Sequence, residues 1–364
     1  MKKIISIIGA RPQFIKMVMV KKELRKYEKF TELLLHTGQH YDKNMSDVFF
    51  QDLEIDSPNF FFRLGSGNHG RQTGLMLKNI EKILVQEMPD FVLIYGDTNS
   101  TLAGALAAAK LHIPIGHVES GLRSFDMKMP EEINRKISDH LSTLLFCPSK
   151  NSVNNAKNEG ISSDKLFLVG DIMYDAVLFF SEKVLKKNTV LSALKLDNKN
   201  YILATIHRAE NTDDPVRLKK LMLNLEKLSK KYTLVLPLHP RTRDAMKRYG
   251  IIFTSLSTLK LIEPVGYLTM SMLEKNAAII ITDSGGVQKE AYFHGVPCIT
   301  IRDTTEWPEL IDEGWNCLCS SLEFDLLLYK VERMVQKTGE RPQLYGNGNA
   351  AVQIVKHLYN FIIT

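Results

Sequence analysis

The residues best suited to chemistry fall in short polar clusters, each placed directly after an apolar run. "YGDTNST" puts Asp97 behind "DFVLI", "HVESGLRS" puts Glu119 behind "IPIG", and "MPEEINR" adds the pair Glu131 and Glu132. Carboxylates converging from the strand ends of one sheet can serve proton transfer, which is general acid–base work. Neighbouring helical residues point about 100° apart, so only one of the Glu131–Glu132 pair can face such a site. Each acid also has a plainer use. Asp97 could N-cap the helix that follows it, and Arg123 and Arg135 lie near enough in sequence to tie part of the set into an ion network.

A second group of clusters is suited to an anion. In "GARPQFIK", Arg11 and Lys16 flank a helix entry with Pro12 fit for its first position. The stretch is not G-x-G-x-x-G, which argues against a dinucleotide cradle. Two cations beside a helix N-terminus form an anion site. "ATIHRAEN" and "LPLHPRTR" carry His207 with Arg208, and His239, past two further apolar runs. "IIITDSGGVQKEA" passes from a strand through Asp283, Ser284, Gly285 and Gly286 into a helix. There the glycines admit a close ligand, the first turn has free N–H groups, and Ser284 adds a hydroxyl, a set able to hold a phosphate or diphosphate. Glu290, further along that helix, would repel phosphate and fits better as the acceptor for paired ribose hydroxyls. A capped helix with a solvated glutamate is the plainer alternative. The His and Cys spacings match no zinc ligand set, so no metal is expected.

These clusters need a frame that brings strand ends together. Apolar runs of four to eight residues alternate with helix-like stretches almost throughout, and the strands are continuously apolar, the pattern of parallel β-α-β units. The fold class is therefore α/β, with two Rossmann-like doubly wound domains facing a cleft. The expected boundaries are 1–180 for the first domain, 181–345 for the second, and 346–364 for a final helix that caps the second domain or crosses back to the first. Lys- and Asn-rich residues 181–201 mark the expected joint. Ligands of such sheets bind beyond the carboxyl ends of the strands, where the clusters lie.

The 364 residues, 44% hydrophobic and 24% charged with net charge +6, suit two ordinary domains and a small anionic ligand. No dense basic block or aromatic–basic interleaving points to nucleic acid. The six-residue apolar run after Lys2 and Lys3 is too short for a signal peptide, and no run approaches the roughly 18–20 apolar residues needed to span a bilayer. Four cysteines without C-x-x-C spacing read as reduced packing residues, and a soluble cytoplasmic protein is expected.

"GARPQFIK", "TGQH", "YGDTNST", "HVESGLRS", "MPEEINR", "HRAEN", "DSGGVQKEA" and "RDTTEWPE" occur in that order, within a resemblance that runs from residue 3 to beyond residue 345. In these the chain resembles the non-hydrolysing UDP-N-acetylglucosamine 2-epimerase family. The resemblance implies a glycosyltransferase-B-type fold, a homodimer, a UDP-sugar substrate, no cofactor, and a reaction that starts by breaking the anomeric C–O bond. It implies catalytic roles for Asp97, Glu119, Glu131 and His207. It also implies substrate contacts from Arg11, Lys16, Arg135, His239, Ser284, Gly285, Gly286, Glu290 and Arg302. Gln39 and His40 match a region where some members bind a second, activating UDP-sugar. Trp307 stands where many UDP-N-acetylglucosamine epimerases carry Arg. With "LPLHPRTR" and "QLYGNG", this resembles more closely the branch acting on UDP-2,3-diacetamido-2,3-dideoxyglucuronate, in surface-polysaccharide precursor synthesis. That substrate has a carboxylate for which Lys128, Arg123 or another cation would be needed. The alternatives are UDP-N-acetylglucosamine as substrate, a hydrolysing 2-epimerase, a glycosyltransferase of the same fold, and a non-catalytic UDP-sugar sensor.

Overall fold

The computed structural model describes residues 1–39, 56–62, 64–65, 67–185, 189–253 and 258–363. His40 and the side chain of Arg11 lie outside the described residues.

Among the described residues, thirteen strands form two sheets. The first contains β1 (Lys2–Ile8), β2 (Phe30–His36), β3 (Phe60–Phe61), β4 (Phe91–Tyr95), β5 (Ile115–Val118), β6 (Leu144–Cys147) and β7 (Leu166–Leu168), in the order β3-β2-β1-β4-β5-β6-β7. The second contains β8 (Ile202–Thr205), β9 (Leu234–Pro237), β10 (Leu259–Ile262), β11 (Ile279–Thr282), β12 (Cys298–Thr300) and β13 (Asn316–Leu318), in the order β10-β9-β8-β11-β12-β13. Both are parallel. This explains the continuously apolar strands: β4 and β11 are buried along their whole length.

The strand order of each sheet reverses direction at its first strand. The crevice of a doubly wound sheet opens where two neighbouring strands send their chains to opposite faces. In the first sheet that point lies between β1 and β4, paired from Ile4 on Phe91 to Ile7 on Ile94. In the second it lies between β8 and β11, paired from Ile202 on Ile279 to Thr205 on Thr282.

The chain divides into two compact units, one made of Met1–Leu178 with Gln343–Thr364, the other of Phe179–Pro342. The helix Ala350–Ile363 therefore belongs to the unit of the first sheet. Tyr359 stacks against Tyr27 and Phe30 at 5.6 and 6.1 Å, and Phe361 meets Phe91 at 5.7 Å. The carboxylate of Asp175 accepts hydrogen bonds from the Ala350 and Ala351 N–H groups, taking two of the donors a helix start leaves open. Residues 181–201, read from composition as a joint, hold the end of the helix Ile172–Leu185 and a short helix Thr189–Ala193. The helix begins as an apolar face, "IMYDAVLFF", and its registry carries it into the polar stretch. Among the described residues no helix is long and apolar enough to cross a membrane. The four cysteines are free thiols, three of them buried.

Candidate active site

At the first switch point the backbone of β1 ends on Gly9. A side chain could not fit there: a Cβ would fall 2.0 Å from Ser100 Oγ and 2.3 Å from Thr37 Oγ1. The amide of buried Gln13 spans the gap. Its Oε1 accepts from the N–H groups of Gly9 and Ala10 at 2.7 and 2.9 Å, and its Nε2 donates to the Tyr95 carbonyl at 2.6 Å. One side chain thus fixes the end of β1 to the end of β4.

Beyond β4, Thr98 caps the helix Asn99–Lys110. Asp97 is relieved of that duty, and the plainer reading of this acid falls away. Its carboxylate, 32% exposed, receives Nε and Nη2 of Arg135 at 3.0 and 2.7 Å. Arg135 also donates through Nη1 to Glu132 at 2.9 Å. Arg135 is therefore mainly buried and holds two carboxylates inside its own unit.

Glu119 follows β5 with φ 68°, a left-handed conformation that costs a non-glycine residue about 1–3 kcal/mol. It is held there by its own N–H, which donates to the Phe146 carbonyl at 3.1 Å, and by a short ion pair from its carboxylate to Lys16 Nζ. Both side chains of that pair are about nine-tenths buried, at 10% and 8% exposure. A Cβ on Gly96 would lie 3.4 Å from Glu119 Oε2 and 3.5 Å from Lys16 Nζ, so the pair rests against the residue that precedes Asp97. The structure thus brings Asp97, Glu119, Lys16 and Arg135 together at the carboxyl ends of β4 and β5.

The other two acids separate by helix phase. Glu132, fully buried, accepts from Ser124 N–H at 2.9 Å, Ser124 Oγ at 3.1 Å and Phe125 N–H at 3.1 Å, and so organises the loop before its helix. Glu131 is exposed in the first turn of the helix Pro130–Leu141.

Beneath this half lies a network that no local spacing reveals. His117 Nδ1 meets Asp139 Oδ1 at 2.7 Å and its Nε2 meets the Gly96 carbonyl at 2.7 Å. Asp139 Oδ2 accepts from Gly121 N–H at 3.1 Å and Arg123 Nη1 at 2.7 Å. Arg123 then pairs with Glu159 through Nε and Nη2 at 2.9 and 2.5 Å. Arg123 is thereby removed from the cations open to a substrate carboxylate, while Lys128 is exposed. Burial opposes the charge of Asp139, but the hydrogen bonds and charges of His117 and Arg123 outweigh it and hold its carboxyl below the usual range. The network touches the carbonyl before Asp97 and the amide two residues after Glu119, and so sets the spacing of both acids.

At the second switch point Asp283 plays the part that Gln13 plays in the first. Fully buried after β11, it accepts from the N–H groups of His207 and Arg208 and from Asn211 Nδ2, at 2.9 to 3.1 Å. His207 Nδ1 also lies 3.3 Å from Asp283 Oδ1, which directs the other ring nitrogen away from the carboxylate. Burial lowers the pKa of His207 from its ordinary value, with the Asp283 charge working the other way. The His239 ring stands 5.2 Å from that of His207, and its Nδ1 caps the helix Pro240–Arg248 by accepting from Arg241 N–H.

Ser284 caps the helix Gly285–His294 through Val287 N–H. The N–H groups of Gly285 and Gly286 have no partner within the helix, as at any helix start. Trp307 is buried and spent on scaffolding: its indole N–H donates to the Gly285 carbonyl at 3.0 Å, and Lys289 Nζ sits 4.0 Å above its ring. Arg302, expected among the ligand groups, is 2% exposed and grips Glu306 with two bonds of 2.9 and 3.0 Å. Glu290 is buried in the second turn of the Gly285–His294 helix. In the first unit, Gln39 Oε1 accepts from Ser100 N–H and Oγ at 3.0 and 2.7 Å, which ties it to the helix behind Asp97.

Two parallel sheets, each with its polar cluster at the switch point, fit what known proteins show. A family model described as UDP-N-acetylglucosamine 2-epimerase matches residues 22–359. The chain belongs to that family. It is an isomerase of the UDP-sugar 2-epimerase type. A Methanococcus maripaludis protein named as a UDP-N-acetylglucosamine 2-epimerase homolog is 51% identical, covering 98% of this chain and 99% of its own. The UDP-2,3-diacetamido-2,3-dideoxy-D-glucuronate 2-epimerase of Pseudomonas aeruginosa is 47% identical over the same shares. Among solved structures, the UDP-GlcNAc 2-epimerase of Methanocaldococcus jannaschii in complex with UDP-GlcNAc and UDP superposes with a TM-score of 0.92 at 42% identity, covering 99% of this chain and all of that one.

In this epimerase family member the residues whose parts the sequence does not show are Gln13, Asp283, His117 and Asp139. Gln13 and Asp283 lie inside the motifs and were legible as positions at strand exits. His117 and Asp139 come from different elements, β5 and the Pro130–Leu141 helix, and share no local signal.

Proposed function

We propose that this protein inverts C2 of a UDP-linked N-acetylamino sugar by eliminating and re-adding UDP, acting as a homodimer. A C–H bond beside an anomeric carbon is very weakly acidic, so a base alone is insufficient. In the proposed reaction a carboxylate takes the C2 proton while the C1–O bond breaks, its electron pair leaving with UDP and a C1=C2 double bond forming. A carboxylic acid then returns a proton to the opposite face of C2, and UDP adds back at C1. The observation that carries this reading is the pairing of Asp97 and Glu119 at neighbouring strand ends, one of them in a strained backbone conformation. Strain of that kind is held where geometry is used.

Asp97 and Glu119 are the proposed acid and base, and Glu131 the third acid, reaching the sugar from its exposed helix turn. Lys16 and Arg135 orient the two carboxylates. His207, with its proton on Nδ1 directed to Asp283, presents Nε2 to the departing diphosphate. The diphosphate's negative charge favours a second proton there, and a charged donor stabilises the leaving group as its charge develops. Ser284 and the N–H groups of Gly285 and Gly286 hold the same diphosphate, with His239 beside it, and Glu290 takes the ribose hydroxyls. Arg302 supports this set through Glu306, and Gln39 and His40 mark the proposed activating region.

The proposed substrate is UDP-2,3-diacetamido-2,3-dideoxyglucuronate, on the route to a surface polysaccharide. Support comes from the Pseudomonas aeruginosa relative, which spans the whole chain. UDP-N-acetylglucosamine is the second reading, favoured by the Methanococcus maripaludis and Methanocaldococcus jannaschii relatives. Turnover of the two UDP-sugars decides between them. The uronate is expected to be preferred in kcat/KM by roughly tenfold or more, the range that one site of discriminating contacts supplies. A preference for UDP-N-acetylglucosamine would replace the substrate and leave the chemistry standing.

A further inference from the structure

Behind Glu290 lies a polar group that the reaction does not use. The helix Tyr267–Asn276 packs against the helix Gly285–His294 and brings Ser271 and Glu274 to face Glu290 and His294. Glu274 is completely buried, and neither of its carboxyl oxygens accepts a hydrogen bond from a donor among the described residues. A buried carboxylate with no donor and no cation is among the costliest groups a protein can hold.

Among the described residues no lysine or arginine pairs with it. His294 Nε2 is 4.0 Å from Glu274 Oε2 and is engaged with Ser271 Oγ at 3.0 Å. Burial, together with the charges of Lys275, Lys199 and Arg341, lowers the His294 pKa to about 3, so the imidazole is neutral. Glu290 lies four residues before His294 on the same helix, so its carboxyl shares the face that meets Glu274. Two carboxylates are both acceptors, and they can bond to one another only if one of them carries a proton. Burial first, and then the charge and hydrogen bond of Glu290, push the Glu274 carboxyl well above the usual range. Glu274 is the more buried of the two, since Glu290 retains 9% exposure. The proton is therefore assigned to Glu274, which makes Glu290 the acceptor.

We propose that Glu274 is a positioning residue: as a neutral acid it donates a hydrogen bond to Glu290 and holds that carboxylate in the rotamer that receives the two vicinal hydroxyls of a ribose. This rests on the proposed role of Glu290. A carboxylate with one oxygen anchored from behind loses little further freedom when a diol arrives, and preorganisation of this kind raises affinity. The neutral donor also spares the site a second negative charge near the diphosphate.

Calorimetric titration of the full-length protein with UDP and with 2′-deoxy-UDP tests the pair. The wild type is expected to prefer UDP. Glu274→Gln, whose amide N–H can still donate to Glu290, should bind UDP within about threefold of wild type, whereas Glu274→Leu should lose about tenfold, the worth of one hydrogen bond to a charged group. Glu274→Leu should also lose most of its preference for UDP over the deoxy nucleotide while melting no lower than wild type, since a buried acid has been replaced by an apolar side chain of similar volume. Unchanged affinity and unchanged preference in a folded Glu274→Leu would overturn the proposal. So would equal losses in the Gln and Leu variants, because the donated hydrogen bond would then be irrelevant. If the wild type binds UDP and 2′-deoxy-UDP alike, it is the ribose role of Glu290 that fails, and the proposal falls with it. Absence of UDP binding would instead overturn the nucleotide reading itself.

Discussion

Glu119→Gln is expected to lower kcat by about 10²–10⁴-fold, the usual contribution of a positioned acid or base, while the Kd for UDP stays within a few-fold of wild type. The amide has the shape of the carboxylate but cannot take up a proton. The UDP contacts proposed here lie on the other structural unit, so nucleotide affinity should be untouched. The substitution leaves Lys16 opposite a neutral partner in a site where both side chains are about nine-tenths buried. A stability loss of about 1–3 kcal/mol should therefore accompany the rate effect, and turnover must be normalised to folded protein by circular dichroism. Asp97→Asn should behave in the same way with a smaller stability cost, since its carboxylate is 32% exposed. A Glu119→Gln protein that melts lower yet turns over normally would make the Lys16–Glu119 pair purely structural. A protein that loses UDP affinity in step with rate would show that the two sets of roles have been exchanged.

Asp139→Ala should produce the largest loss of stability of any single change considered, about 3–5 kcal/mol, because it leaves buried charge without its partner. Asp139 receives His117, Gly121 and Arg123, and all three side chains of the ion network's core are excluded from solvent. Urea denaturation checks the magnitude. The same network predicts the acid limb of the stability profile. The folded-state values of Asp139 and Glu159 are both depressed, Glu159 chiefly by its hydrogen bonds from Arg123 and to about 2 from an ordinary 4.5. A depressed folded pKa contributes stability that is complete above the unfolded value and fades as pH falls through the folded one. Wild-type stability should thus decline between about pH 4.5 and pH 2, and the Asp139→Ala profile should be shallower there. A loss below about 1 kcal/mol, the scale of an exposed ion pair, would contradict the buried-network account.

The frame was legible because period and length carry it. Apolar runs without alternation imply parallel strands, so Asp97, Glu119, His207 and Ser284 could be placed at strand exits without coordinates. Helix phase was not legible. Glu131 and Glu132 are adjacent, and only the packing of Ser124 and Arg135 around Glu132 decides which of them is buried. The partners of charged side chains were equally hidden, since Arg302 serves Glu306 and Arg123 serves Asp139 and Glu159 through folding of the chain at long and short range. Trp307 shows the limit of reading a motif by its type: the residue that sets "RDTTEW" apart is buried under Lys289 and braces Gly285, so any effect on the sugar passes through the start of the Gly285–His294 helix. Glu274 and His294 lie at unremarkable positions within two amphipathic helices, and only their juxtaposition gives them meaning.

The central claim is that a carboxylate removes the proton at C2 and that solvent hydrogen replaces it. Incubating the enzyme with its UDP-sugar in D₂O and following C2 by proton NMR and mass spectrometry tests this directly. The account predicts one deuterium at C2 in both epimers of the equilibrated mixture, with none elsewhere on the ring. Interconversion of the epimers without deuterium at C2, or recovery of unlabelled substrate alone, would contradict it.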